Sequence, residues 1–141
     1  MKSAEILLVE DNPAYIRLLQ EAFKESTILN TLHFVMDGEE LLGFLRKEGN
    51  YTKAPRPDMI ILDLYLPKMD GKEVLAKIKS DPDLVFIPVV VLSSSESEDD
   101  IKKVYGMNVT CYINKPQFFS QFGEVVRTIE NFWTELTRAA G

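Results

Sequence analysis

Short, unbroken apolar runs alternate with amphipathic stretches along this chain, and that alternation limits its fold more than any other feature. Ile6-Leu7-Leu8-Val9 is apolar at every position. A strand with one wet face would alternate with a period of two, so an unbroken run implies a strand buried on both faces. Met59-Ile60-Ile61-Leu62 reads the same way, and so does Ile87 to Leu92, where Pro88 is tolerable near the start of a strand. Thr31 to Met36 and Val109 to Ile113 supply two further strands.

The stretches between them carry helical spacing. Asn12 is a good N-cap and Pro13 suits the first helical position, with Ile16, Leu19 and Phe23 three and four residues apart. Asp37-Gly38 breaks the second strand, and Glu39 to Lys47 follows as a helix with Leu41, Leu42 and Leu45 inward. Glu48 to Pro57 is a loop, and so is Leu64 to Gly71, which holds Pro67. Val74, Leu75 and Ile78 mark a third helix that ends near Asp81-Pro82. An acidic helix opens from Glu96 to Lys103, and a last one runs from about 117 to 138. Five strands alternating with five helices predict an α/β fold, a doubly wound five-stranded parallel sheet. With 141 residues and no internal linker, residues 1–141 read as a single domain with an extended C-terminal helix and no output domain.

Composition removes several classes of function. The net charge of −6 repels phosphate backbones and anionic lipid, so neither nucleic acid nor membrane is an expected partner. One cysteine, Cys111, excludes an internal disulfide and multi-Cys zinc sites; one histidine, His33, excludes multi-His metal sites. His33 reads as packing or surface, and Cys111 as a small buried apolar group. The N-terminus has neither a signal peptide nor a membrane span, so a cytoplasmic protein is expected.

Ligands of an open parallel sheet bind beyond the carboxyl ends of its strands. There the chain places Glu10 and Asp11 after the first strand, Asp63 after the third, Ser93 after the fourth and Lys115 after the fifth. Taken singly, each is an ordinary loop residue or helix cap. Together they are three carboxylates, a hydroxyl and an ammonium at one edge. Converging carboxylates call for a cation, and hard oxygen ligands without histidine or thiolate select Mg²⁺ or Ca²⁺. A small ligand set that leaves room for water and phosphate suits Mg²⁺. One carboxylate is then a candidate nucleophile for an aspartyl-phosphate, with Lys115 pairing an anionic oxygen.

These residues resemble a response-regulator receiver domain, the phosphoacceptor half of two-component signalling. The match rests on Glu10-Asp11, on Asp63-Leu-Tyr-Leu-Pro67-Lys-Met-Asp70-Gly71, and on Ser93, Tyr112 and Lys115-Pro116. The spacing also agrees, 30 residues from Asp63 to Ser93 and 22 from Ser93 to Lys115. The resemblance implies a flavodoxin-like strand order of 2-1-3-4-5. By the same resemblance Asp63 is the phosphoacceptor and Mg²⁺ is the cofactor. Asp11 binds the metal directly, Glu10 through water, and the Tyr65 backbone carbonyl completes the protein ligands alongside Asp63. Ser93 is the switch hydroxyl, Tyr112 the aromatic switch, Lys115 the phosphoryl-binding lysine, and Pro116 follows a cis peptide. The chain departs in having a Glu-Asp pair, Ser at the switch and a bulky Tyr65.

Ala54-Pro-Arg-Pro-Asp58, Ser80-Asp-Pro-Asp-Leu84, Ile87-Pro-Val-Val-Val-Leu92 and Glu130-Asn-Phe-Trp133 are similar to the phytochrome-associated single-domain response regulators. The expected input is therefore a sensor histidine kinase, phytochrome-like by this resemblance, and the expected role a phosphorelay signalling switch. A Mg²⁺-dependent phosphohydrolase is the competing reading. It usually needs an acid two residues after the nucleophile, where this chain has Tyr65. A phosphate-independent interaction module is the third. The last helix carries an apolar stripe of Phe118, Phe122, Val125, Ile129, Phe132 and Leu136, widened by Phe119, Val126 and Trp133. It exceeds what a sheet face needs, so a homodimer through this helix is expected, with Trp133 exposed on the lone monomer.

Overall fold

The five apolar runs are strands of one parallel sheet in the order β2-β1-β3-β4-β5. The computed structural model describes residues 3–66, 68–93, 98–115 and 121–140, without the side chains of 139 and 140. Pro67, Ser94, Ser95, Glu96, the peptide before Pro116, Phe118 and Phe119 lie outside the described residues. In chain order the elements are β1 (Ala4–Val9), α1 (Pro13–Lys24), β2 (Asn30–Val35), α2 (Gly38–Arg46), β3 (Met59–Leu62), α3 (Gly71–Ser80), β4 (Val89–Ser93), α4 (Glu98–Tyr105), β5 (Cys111–Asn114) and α5 (Phe122–Ala140). A single 3₁₀ turn, Gly49–Tyr51, interrupts the loop after α2. No described helix is long and apolar enough to cross a membrane.

Alternate residues of each buried strand feed two apolar layers. Leu7, Val9, Ile60, Leu62, Val89 and Val91 face α2, α3 and α4. Ile6, Leu8, Met59, Ile61, Val90 and Leu92 face α1 and α5. All twelve are at most 4% exposed, which is why the runs carry no polar residue. Each such side chain contributes about 1.5–3 kcal/mol by leaving water.

Element boundaries shift where a backbone group is claimed elsewhere. Met36 falls outside β2 because its N–H donates to the Glu40 carboxylate at 2.9 Å. Pro88 stays outside β4 because it has no N–H; its carbonyl accepts from Ile60 at 2.9 Å instead. β5 begins only at Cys111, after a left-handed turn at Asn108 (φ 60°). Cys111 itself is half-buried rather than buried, because β5 is an edge strand with one neighbour.

Two helix starts fix the loops that carry the site. Asn12 caps α1 by accepting from Ala14 N–H at 2.9 Å, with Pro13 at the first helical position. Asp70 caps α3 by accepting from Lys72 N–H at 2.8 Å. Gly71 then packs flush on the end of β3: a Cβ there would lie 2.6 Å from the Leu64 backbone and 2.8 Å from the Asp63 carbonyl. Only glycine permits this approach, and it brings the first turn of α3 under the loop after Asp63.

The candidate phosphoacceptor site

Parallel register brings the strand ends level. Val9 pairs with Leu62, Leu62 with Val91, and Ser93 with Asn114. The next residues, Glu10, Asp63 and Lys115, therefore emerge at one edge. The ladder continues through them: Asp63 N–H donates to the Val9 carbonyl at 3.1 Å, Glu10 N–H to Val35 at 3.1 Å, and Lys115 N–H to Ser93 at 2.7 Å. Backbone hydrogen bonds rather than flexible loop thus set the three side chains.

Glu10, Asp11 and Asp63 each bring a carboxylate oxygen within 4.8 Å of the others. Glu10 and Asp63 are buried, at 1% and 4%, while Asp11 is exposed. The Lys115 ammonium lies 2.8 Å from Glu10 Oε2 and 3.0 Å from Asp63 Oδ2. Asp63 Oδ1 accepts from the Tyr65 N–H at 3.1 Å, and Glu10 Oε1 from the Asn12 N–H at 3.2 Å. Ser93 is fully buried at the end of β4, and Tyr112 is half-buried against the layer of α2, α3 and α4.

Three negative charges face one positive charge here. Burial pushes the Glu10 carboxyl up and the Asp63 charge adds to that, with Lys115 opposing both. Burial works to lower the Lys115 ammonium, but the Glu10 and Asp63 carboxylates outweigh it and hold the value up. Glu10 Oε2 is buried and, among the described residues, is met by the Lys115 ammonium at 2.8 Å. Three converging carboxylates that share one ammonium fit a hard divalent cation, which would supply the missing positive charge.

Every described residue expected at the edge is therefore near it. Tyr65 adds a contact that spacing did not suggest: its hydroxyl donates to Asp100 Oδ2 on α4 at 3.1 Å, and Lys72 Nζ holds Asp100 Oδ1 at 2.7 Å. Tyr15 is a second addition. Its ring centroid lies 4.4 Å from Lys115 Nζ. Its partner Lys115 follows β5, so spacing within α1 does not signal the contact. The Tyr65–Asp100 contact spans 35 residues, and no local pattern encodes it. His33 is a half-buried surface residue paired with Glu5 at 2.6 Å, away from this edge.

The family model of the response regulator receiver domain matches residues 6–127. Response regulator Rcp1 of Synechocystis sp. is 49% identical over 130 residues, covering 92% of this chain and 88% of that protein. Among solved structures, the phosphorylated cyanobacterial phytochrome response regulator RcpA is 54% identical with a TM-score of 0.88, covering 94% of this chain and 95% of that one. The Mn²⁺-bound form of Rcp1 is 48% identical with a TM-score of 0.86, covering 92% and 94%.

Proposed function

The chain belongs to the response-regulator receiver family, and on that premise we propose that it is a cytoplasmic single-domain response regulator that accepts a phosphoryl group on Asp63. The observation that carries this is the Lys115–Asp63 contact at 3.0 Å inside a cluster of three carboxylates. The donor is a sensor histidine kinase, and relatedness to RcpA and Rcp1 favours a phytochrome-type one. An Asp63 oxygen attacks the phosphorus of the kinase phosphohistidine. The P–N bond breaks, and its electron pair stays on the imidazole nitrogen, which takes up a proton. Lys115 exchanges its bond to Asp63 Oδ2 for one to a phosphoryl oxygen.

Mg²⁺ is the proposed cofactor, held by Asp11, Asp63 and the Tyr65 carbonyl, with Glu10 acting through water. Bound there, it would offset charge on the cluster and on the incoming phosphoryl group. Ser93 and Tyr112 are the proposed switch pair: the phosphoryl group offers Ser93 a hydrogen bond present in one conformation only, which shifts the population toward that conformation. Output is a protein–protein contact or onward phosphotransfer, and a homodimer through the α4–β5–α5 face is part of this reading.

A phosphohydrolase is disfavoured by Tyr65. The position two after the nucleophile carries no acid, and its hydroxyl is bonded to Asp100. The test is transfer from a prephosphorylated phytochrome-type histidine kinase. Radiolabel should move to the wild type only with Mg²⁺ and should not move to Asp63→Asn. Label that reaches Asp63→Asn at the wild-type rate would refute the assignment.

A further inference from the structure

We infer that Tyr15 is a positioning residue for Lys115, holding the ammonium in place by the face of its ring during phosphoryl capture; this rests on the reading of Asp63 as phosphoacceptor. Lys115 Nζ lies 4.4 Å from the Tyr15 ring centroid, well inside the range of a cation–π contact. The side chain of Lys115 is only 11% exposed, so water screens the contact weakly. The ring is itself braced: it packs on Phe122 of α5 with centroids 5.6 Å apart at 49°. Tyr15 sits in the first turn of α1, behind the cap at Asn12, so the backbone that carries it is fixed as well.

A lysine ammonium on a four-carbon stem is a mobile point charge. Glu10 and Asp63 hold it at 2.8 and 3.0 Å, but the Asp63 contact must be surrendered when phosphorus arrives at that carboxylate. At that moment Glu10 alone would draw the charge away from the phosphoryl oxygen. An aromatic face attracts the cation without neutralising it and without competing as a hydrogen-bond acceptor. Tyr15 therefore keeps the ammonium beside the acceptor while its anionic partner changes. The contact needs a ring face and not the phenol hydroxyl, so phenylalanine should serve in its place and leucine should not.

The test uses the full chain, with acetyl phosphate as donor at saturating Mg²⁺. Tyr15→Leu should lower the maximum rate of Asp63 phosphorylation by about threefold to tenfold, the range expected of a partly desolvated cation–π contact. Its half-saturating acetyl phosphate concentration should change little, and Tyr15→Phe should recover most of the rate. A second readout needs neither donor nor metal. In NMR spectra of protein with isotope-labelled lysine, the Lys115 side-chain protons, assigned by their loss in Lys115→Arg, should show an upfield ring-current shift. The shift should persist in Tyr15→Phe and vanish in Tyr15→Leu. Wild-type capture in Tyr15→Leu, or no ring-current shift in the wild type, overturns the inference alone. A wild type that takes no label overturns it together with the reading it rests on.

Discussion

Tyr65 shows most clearly what side-chain placement adds at the scale of single residues. It follows the acceptor by two positions, and the residue is 54% exposed with its hydroxyl on Asp100. That bond ties the acceptor loop to α4, and the prediction is that the ring slows the approach of hydrolytic water to a phosphorylated Asp63. Tyr65→Ala should shorten the phosphorylated lifetime roughly threefold, equivalent to about 0.6 kcal/mol of barrier. Decay of labelled protein after removal of donor measures this, and an unchanged or longer lifetime argues against shielding. The placement of Glu10, Asp11, Asp63, Ser93 and Lys115 at one edge was legible in the sequence because each ends an apolar run or follows it within two residues, and parallel register levels the run ends. Tyr15 and Asp100 were not, because their contacts depend on how α1 and α4 pack on the sheet, which residue spacing does not encode.

Among the elements, α5 is tied to the far side of the molecule by one carboxylate. Glu130 Oε2 accepts from Ser26 Oγ at 2.8 Å, Thr27 N–H at 2.8 Å and Thr27 Oγ1 at 2.7 Å, pinning the turn between α1 and β2. The Thr27 hydroxyl, followed by Ser26 and the Thr27 N–H, draws the Glu130 value below the ordinary 4.5. A depressed folded-state value stabilises the fold above the unfolded value and loses that contribution as pH falls through the folded one. Glu130→Gln should therefore cost about 1 kcal/mol at neutral pH, and the difference should shrink below pH 4.5. Urea denaturation of both proteins across that range measures it, and equal stability at neutral pH would count against the tie. The helices themselves were readable from their caps and periodicity, as the Asn12–Pro13 start of α1 shows. Strand ends were less so: Met36 leaves β2 because its N–H turns to the Glu40 side chain, a choice that apolar patterning does not encode.

For the whole molecule, the sheet order matches the flavodoxin-like expectation, while the last helix needs revision. Trp133 does not stand free; it is half-buried and packs with Phe132 against the α1–α5 layer. Among the described residues, Tyr105 of α4 is 49% exposed and Leu136 of α5 is 36% exposed. A homodimer through the α4–β5–α5 face would cover them, and Leu136→Glu should then weaken association at micromolar concentration. Sedimentation velocity reads the outcome, and a wild type that stays monomeric with and without phosphorylation contradicts the dimer. The central claim is that Asp63 forms the acyl phosphate, with Lys115 3.0 Å from its Oδ2. The most direct measurement is chemical trapping: phosphorylate the full chain with acetyl phosphate, reduce the acyl phosphate with tritiated borohydride, and map the tritium by peptide sequencing. The account predicts tritium at position 63 alone, present with Mg²⁺ and absent without it. Tritium at Asp11 or elsewhere, or equal incorporation in the absence of Mg²⁺, would contradict it.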